Sequence, residues 1–174
     1  MFKNYQNTFF FTATIKDWKP LLIKDEYKNI ILVSLKFIAI EQRAKIFGFV
    51  IMPNHIHLIW HIPNDITKNH TQGSLLRFTA QQLKFELIKN ELLFLEEFKV
   101  NLKDRKYQLW KRNPLSIEIY TDSILEQKLN YIHNNPISKK WNLAKHPNDY
   151  FYSSALFYET GIDNFGFLSN YMLE

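Results

Sequence analysis

The residues best placed to do chemistry lie in Met52-Pro53-Asn54-His55-Ile56-His57-Leu58-Ile59-Trp60. Proline cannot donate to a sheet ladder, so Pro53 marks a turn between two strands. After it, His55 to Ile62 alternates, and a strand sends successive side chains to opposite faces. His55, His57, Ile59 and His61 therefore share one face, and Ile56, Leu58, Trp60 and Ile62 share a wholly apolar one. The apolar face must lie on a core. The other carries imidazoles, which suit a divalent metal. A His-x-His on a strand is common in itself, and two imidazoles need further ligands and a reactive group to make a site.

Both are offered downstream. Thr121 to Glu126 opens a helix, with Ser123 and Glu126 at capping-box spacing. Pro136 ends it, because proline disfavours helical geometry at its predecessor. Leu125, Leu129 and Ile132 make its apolar stripe. Gln127, Tyr131 and Asn135 recur four apart on another face. Tyr131 and Asn135 thus point the same way, one turn apart. If this helix covers the histidine face, Asn135 can offer an amide oxygen to the metal with the Tyr131 hydroxyl beside it. His133 points away from Tyr131 and reads as structural or DNA-facing. His61 lies further along the strand, and His70 and His146 read as loop residues.

The elements that must position these groups follow from periodicity. Thr8 to Thr14 reads as a first strand, rich in aromatics and threonine. A helix from about Asp25 to Ala39 carries Tyr27, Ile31, Leu35 and Ile38 at helical spacing. Strands follow at Lys45 to Met52 and His55 to Ile62, then a polar loop over Asn64 to Gly73. A second helix starts near Ser74 as N-cap, with Leu76, Ala80, Leu83 and Leu87 as its core stripe. Arg77, Gln81 and Lys84 share another face, which could meet phosphates or be a solvated polar face. Asn90 to Phe98 adds a further helical turn or two. Tyr107 to Trp110 reads as a strand, interrupted by Lys111-Arg112-Asn113-Pro114 and continued over Ser116 to Tyr120. The order strand, helix, strand, strand, helix, strand predicts an α+β, ferredoxin-like split βαββαβ antiparallel sheet. The added C-terminal helix would carry the tyrosine across its open face.

Composition sets the outer bounds. The 174 residues suit one domain with a real core. At 46% hydrophobic and 16% aromatic residues, the chain is too apolar for disorder. A formal net charge of +5 and a pI near 9.2 make an anionic partner plausible, nucleic acid before membrane. The same charge could serve solubility alone. No cysteine is present, which excludes disulfides and thiolate-bound zinc. Met1 to Thr14 lacks the long apolar core of a signal peptide, and no apolar run reaches membrane-spanning length, so a cytoplasmic protein is expected.

Met-Pro-Asn-His-Ile-His-Leu followed by Tyr-Ile-His-Asn-Asn-Pro resembles the single-tyrosine HUH transposases, and most closely the REP-associated tyrosine transposases. Leu75-Leu76-Arg77-Phe78-Thr79-Ala80, Tyr107-Gln108-Leu109-Trp110-Lys111-Arg112-Asn113 and Asp149-Tyr150-Phe151-Tyr152-Ser153-Ser154-Ala155 match further motifs of that family. The resemblance covers roughly Thr8 to Glu159; the tail, Thr160 to Glu174, has no named counterpart.

The resemblance implies a metal on His55 and His57, with Asn135 as third ligand and Tyr131 as nucleophile. Related insertion-sequence enzymes place glutamine at the position of Asn135. It implies cleavage of single-stranded DNA beside a hairpin, through a 5′-phosphotyrosine intermediate that frees a 3′-hydroxyl. Nitrogen and amide-oxygen ligands with open positions tolerate Mg²⁺ or Mn²⁺, and imidazoles lean toward Mn²⁺. Trp110, Lys111 and Arg112 sit in an aromatic, basic stretch of the kind on which bases stack and phosphates pair. With Arg77 and Lys84 they are the expected DNA contacts. The insertion-sequence relatives are dimers with the tyrosine in trans, whereas REP-associated enzymes can act as monomers, so monomer and homodimer both stay open. A histidine-triad hydrolase is excluded because Ile59 occupies the third position of His-x-His-x-His. A host-adopted DNA-hairpin-binding protein and a relaxase or replication-initiator nuclease remain as other uses of the same parts.

Overall fold

The computed structural model describes residues 5–173. Met1 to Asn4, part of the stretch read for a signal peptide, and Glu174, the end of the tail, lie outside the described residues. Four strands, β1 (Thr8–Thr14), β2 (Lys45–Met52), β3 (His55–His61) and β4 (Leu115–Glu118), form one antiparallel sheet in the order β2-β3-β1-β4. This is the expected βαββαβ arrangement.

Helices α1 (Asp25–Ile40) and α2 (Lys68–Asn90) cover one face, and α4 (Asp122–Asn134) packs on the other against β2 and β3. Two cores result. Phe9, Phe11, Phe49, Ile56, Leu58 and Trp60 meet the α1–α2 layer. Phe10, Val50, Met52 and Ile59 meet Leu125, Leu129 and Ile132 of α4. The two-residue period of each strand thus divides its side chains between two hydrophobic layers. Tyr27, Ile31, Leu35 and Ile38 are all buried, as their spacing predicts.

The structure differs from the sequence reading in three respects. Helix α2 starts at Lys68, capped by the Thr67 hydroxyl, which accepts from the His70 backbone N–H. The segment read as loop therefore contributes a turn and a half of helix, His70 included. Its buried stripe is Leu75, Thr79, Leu83 and Leu87, while Leu76 and Ala80 are only partly covered. Thr79 can lie in the core because its hydroxyl is satisfied twice. It donates to the Leu75 carbonyl at 2.8 Å and accepts from the Trp110 indole at 3.0 Å. Tyr107–Trp110 forms only isolated bridges, Lys99 with Tyr107 and Ile15 with Trp110. The short helix α3 (Leu92–Glu96) supplies the further turn expected near Asn90–Phe98.

The segments after α4 close the free edge of β2. The Ile51 N–H donates to the Tyr152 carbonyl, and the Tyr150 hydroxyl donates to the Ile51 carbonyl. After α5 (Ala155–Thr160), Ser169 donates its N–H to the Ile46 carbonyl. Phe167 and Tyr171 are buried, so the tail belongs to the packed structure.

Candidate functional site

His55 and His57 open β3 immediately after the Pro53 turn, opposite Thr14 and Thr12 of β1. Their ring centroids are 4.7 Å apart, and both residues are buried. Each Nδ1 has a partner. His55 Nδ1 is 2.7 Å from the Asn54 side-chain oxygen, and His57 Nδ1 is 2.7 Å from the Thr12 hydroxyl. The Asn54 amide nitrogen donates to the Trp18 carbonyl at 2.9 Å, so its oxygen faces the imidazole. An amide oxygen only accepts, which places the His55 proton on Nδ1 and a lone pair on Nε2. His57 Nε2 is buried with no hydrogen-bond partner at all. Burial lowers the pKa of His55 to about 4, with Lys140 adding to the effect. It lowers His57 to about 3, helped by His55 and Lys128. Both rings are neutral at physiological pH, the state in which imidazole binds metal.

Helix α4 brings the tyrosine. The Thr121 hydroxyl, rather than Ser123, caps it by accepting from the Ile124 N–H. Gly48 of β2 lets it approach closely, since a Cβ there would lie 2.5 Å from Leu129 Cδ2. His133 is a second anchor. Its Nε2 is 2.9 Å from the Ser154 hydroxyl, which in turn accepts from the Phe49 N–H. Burial lowers its pKa to about 4, so it stands as a neutral structural group.

Docked in this way, α4 places Tyr131 edge-on to His57, with ring centroids 5.3 Å apart, and beside Phe10 at 6.1 Å. Asn135 follows as the C-cap residue. One cavity of about 950 Å³ takes in His55, His57, Tyr131, Asn135 and Gln127. His61 lies at the far end of β3, its Nδ1 3.3 Å from the Thr8 hydroxyl, and does not line the cavity.

The donor set fits a divalent cation. Each histidine keeps its Nε2 for a ligand while Nδ1 is held, the arrangement that orients metal-binding imidazoles. A buried imidazole nitrogen without a partner is costly unless something fills the position. Among the described residues no group of three or more His, Cys, Asp and Glu could hold a metal. Asn135, the third ligand the resemblance implies, is a neutral amide that lines the same cavity. Neutral ligands leave the full charge of an ion for an anionic substrate.

A second cavity, of about 690 Å³, lies between α2 and the segment before β4. Arg77 and Lys84 come to it from α2, and Lys111 and Arg112 from the segment, so four expected DNA contacts gather in one place. Trp110 lines the same cavity, but little of its ring is open there. It is 6% exposed, its indole N–H bonded to Thr79, and it belongs to the core beneath that cavity. Pro114 lines the basic cavity and Leu115 the histidine cavity, so β4 stands between the two.

Sequence reasoning missed Trp18, Trp141, Lys128 and Lys140, all of which line the histidine cavity. Trp18, Trp141 and Lys140 carry no periodic signal, because chain folding brings them there, whereas Lys128 stands three residues before Tyr131 on α4, a spacing the sequence does show. It also passed over Asn54 and Thr12, which orient the imidazoles; Asn54 stood inside the quoted motif.

The structure is thus a ferredoxin-like sheet with a histidine pair on one face and a tyrosine-bearing helix laid over it. No family model and no curated protein matches the sequence. Solved structures do. A REP-associated tyrosine transposase bound to a REP hairpin superposes with a TM-score of 0.64 at 17% identity, over 98% of this chain and 89% of that one. A candidate transposase from Deinococcus radiodurans R1 gives 0.51 at 16% identity, over 73% of this chain and 88% of that one. At such identities the likeness is one of fold. It extends beyond Thr8 to Glu159 into the tail. No helix among the described residues is long and apolar enough to cross a membrane.

Proposed function

We propose that the chain is a divalent-metal-dependent single-stranded DNA endonuclease and transesterase of the tyrosine HUH transposase kind, acting beside DNA hairpins. One observation carries this reading: Tyr131, Asn135 and His57, whose Nε2 has no partner, line one cavity. The fold shared with a hairpin-bound REP-associated transposase supports it.

Tyr131 Oη attacks the scissile phosphorus. The bond from phosphorus to the 3′-oxygen breaks, the phenolic proton passes to solvent, and the departing oxygen is protonated to a free 3′-hydroxyl. The 5′-phosphate stays on Tyr131, so the phosphodiester energy is kept and no nucleotide cofactor is required. Attack by another 3′-hydroxyl reverses the step and joins strands. A phenol is a weak nucleophile until activated. Mg²⁺ or Mn²⁺ held by His55, His57 and Asn135 would neutralise charge on the phosphate. Lys128, whose Nζ is 4.9 Å from the Phe10 ring centroid, adds positive charge on the tyrosine side. Arg77, Lys84, Lys111 and Arg112 would hold the hairpin backbone, the strand passing β4 to reach Tyr131.

The test is covalent trapping. Incubated with labelled single-stranded hairpin DNA and Mn²⁺, then denatured, the wild type should retain label. Tyr131→Phe, which loses only a hydroxyl, should bind the hairpin and trap none. His55→Ala and His57→Ala should fold and not cleave. Binding by wild type without trapping or cutting would leave a hairpin-binding protein; label on Tyr131→Phe would move the nucleophile to another tyrosine.

A further inference from the structure

On the side of the histidine pair away from Tyr131 stands an aromatic and cationic cluster that metal binding and nucleophilic attack do not use. The Trp18 ring lies 6.2 Å from His55, and the Trp141 ring 5.7 Å from it. The Lys140 ammonium is 5.7 Å from the centroid of Trp18 and 5.2 Å from that of Trp141. It has no carboxylate partner among the described residues. Trp18 is 54% exposed, unusual for so large an apolar ring on a cavity wall. Its backbone is held in the left-handed region at φ 56°, next to Asp17 at φ 57°. Two successive non-glycine residues there are strained and persist only when their surroundings impose it. Asn54 does so through the Trp18 carbonyl, with the carboxamide that also fixes the His55 tautomer. The indole and the imidazole are thus set by one side chain.

We propose that Trp18 and Trp141, flanked by Lys140, form a nucleobase-binding subsite for the nucleotide on the 5′ side of the scissile phosphate. The polarity follows from in-line displacement. Tyr131 adjoins His57, whereas both indoles adjoin His55. With the phosphate at the histidine pair, the leaving 3′-oxygen points away from Tyr131, toward the indoles. The nucleotide bearing that oxygen brings its base to them. Every base has a π-face, so stacking there accepts any of the four, and Lys140 meets the adjoining phosphate. The polarity rests on the transesterase reading; base stacking at the two indoles does not.

The two claims are tested separately on the full chain. In EDTA, where no cleavage competes, binding of end-labelled octathymidylate is compared by anisotropy with that of an octamer of abasic nucleotides carrying the same charges. The wild type should favour octathymidylate by about tenfold or more. Trp18→Ala and Trp141→Ala should each erase most of that preference, and Trp18→Phe, which keeps a ring, should retain much of it. Circular dichroism melts of all three should match the wild type. Equal binding of the two octamers by the wild type, or full preference in both alanine variants, overturns the subsite. With Mn²⁺ and a cleavable hairpin substrate, one abasic nucleotide on the 5′ side of the cut should slow trapping about tenfold, and one on the 3′ side should not. The opposite pattern overturns the polarity. Failure of the wild type to cut any single strand removes the transesterase reading and the polarity with it, and leaves base stacking to stand or fall on the EDTA result.

Discussion

Substituting Gly48 should uncouple stability of the tyrosine-bearing helix from integrity of the basic cavity. Gly48 lies at the irregular point of β2, where the register with β3 shifts between Ile46 and Gly48. A Cβ added there would stand 2.5 Å from Leu129 Cδ2, 3.2 Å from Ile132 Cδ1 and 3.3 Å from the Ser154 hydroxyl. Carbon atoms rest about 3.5–4.0 Å apart, so the tightest pair must open by about 1–1.5 Å. Leu129 alone could turn aside, but it is only 5% exposed and is packed with Leu125 and Ile132. Ile132 and Ser154 also crowd the added Cβ, so the helix is expected to rise. Overpacking of this kind costs about 1–3 kcal/mol, which lowers Tm by roughly 3–10 °C for a chain of this size.

Tyr131 is two residues beyond Leu129 and moves with it. A misplacement of about 1 Å can reduce rate about a hundredfold. Gly48→Ala should therefore trap about a hundredfold less label per unit time in single turnover while binding hairpin DNA normally, because α2 packs on the other face of the sheet. Leu129→Ala alone should cost about 2–5 kcal/mol as a cavity. In the double variant each change relieves the other, so its loss should fall short of the sum by more than about 0.5 kcal/mol, the limit within which independent sites add. Additivity in the melts, together with wild-type trapping by Gly48→Ala, would refute close packing at Gly48 as the device that positions Tyr131.

Further outcomes follow from the same coordinates. Burial places the folded-state pKa of His133 at about 4, that of His55 at about 4 and that of His57 at about 3, all below the ordinary 6.5. The unfolded chain then takes up protons first as pH falls, so metal-free stability should be full above about pH 6.5 and decline toward pH 4. His133→Gln should make denaturant midpoints less steep across that window, and an unchanged pH profile would contradict the burial of this ring. Lys111→Ala/Arg112→Ala should flatten the plot of log hairpin affinity against log salt by about 1.4–1.8 units, two phosphate contacts' worth; an unchanged slope would assign both to solubility. Trp110→Phe should cost about 1 kcal/mol in urea unfolding, through the bond to Thr79, and leave hairpin affinity intact. A tenfold loss of affinity at unchanged stability would return Trp110 to the DNA surface.

The legibility of this chain follows the range of the interactions that set each part. Alternation in His55–His61 is local, and it correctly separated the imidazole face from the face under α1 and α2. Four-residue spacing is equally local, and it brought Gln127, Tyr131 and Asn135 to one side of α4. Thr79 shows where locality fails. A threonine enters the core when a distant group satisfies its hydroxyl, and here that group is the indole of Trp110, far along the chain. The same bond holds most of the Trp110 ring in the core beneath its basic neighbours. One unforeseen hydrogen bond thus accompanies a one-residue shift in the first half of the α2 stripe, while Leu83 and Leu87 are buried as expected.

Asn54 carries the point from fold to chemistry. Its side chain joins the loop bearing Trp18 to the strand bearing His55, through the Trp18 carbonyl on one side and the His55 Nδ1 on the other. Sequence shows an asparagine after a proline, which by itself reads as turn chemistry. Only the fold reveals that both ends of the amide are committed, and that the imidazole lone pair is consequently fixed on Nε2. A group that sets a ligand's tautomer leaves no period and no composition signal, since its partner can come from any element. The groups proposed to touch substrate could therefore be named from residue type and spacing here. Those that aim them, Asn54, Thr12, Gly48 and Ser154, became visible when β1, β2, β3 and the segment after α4 were brought together.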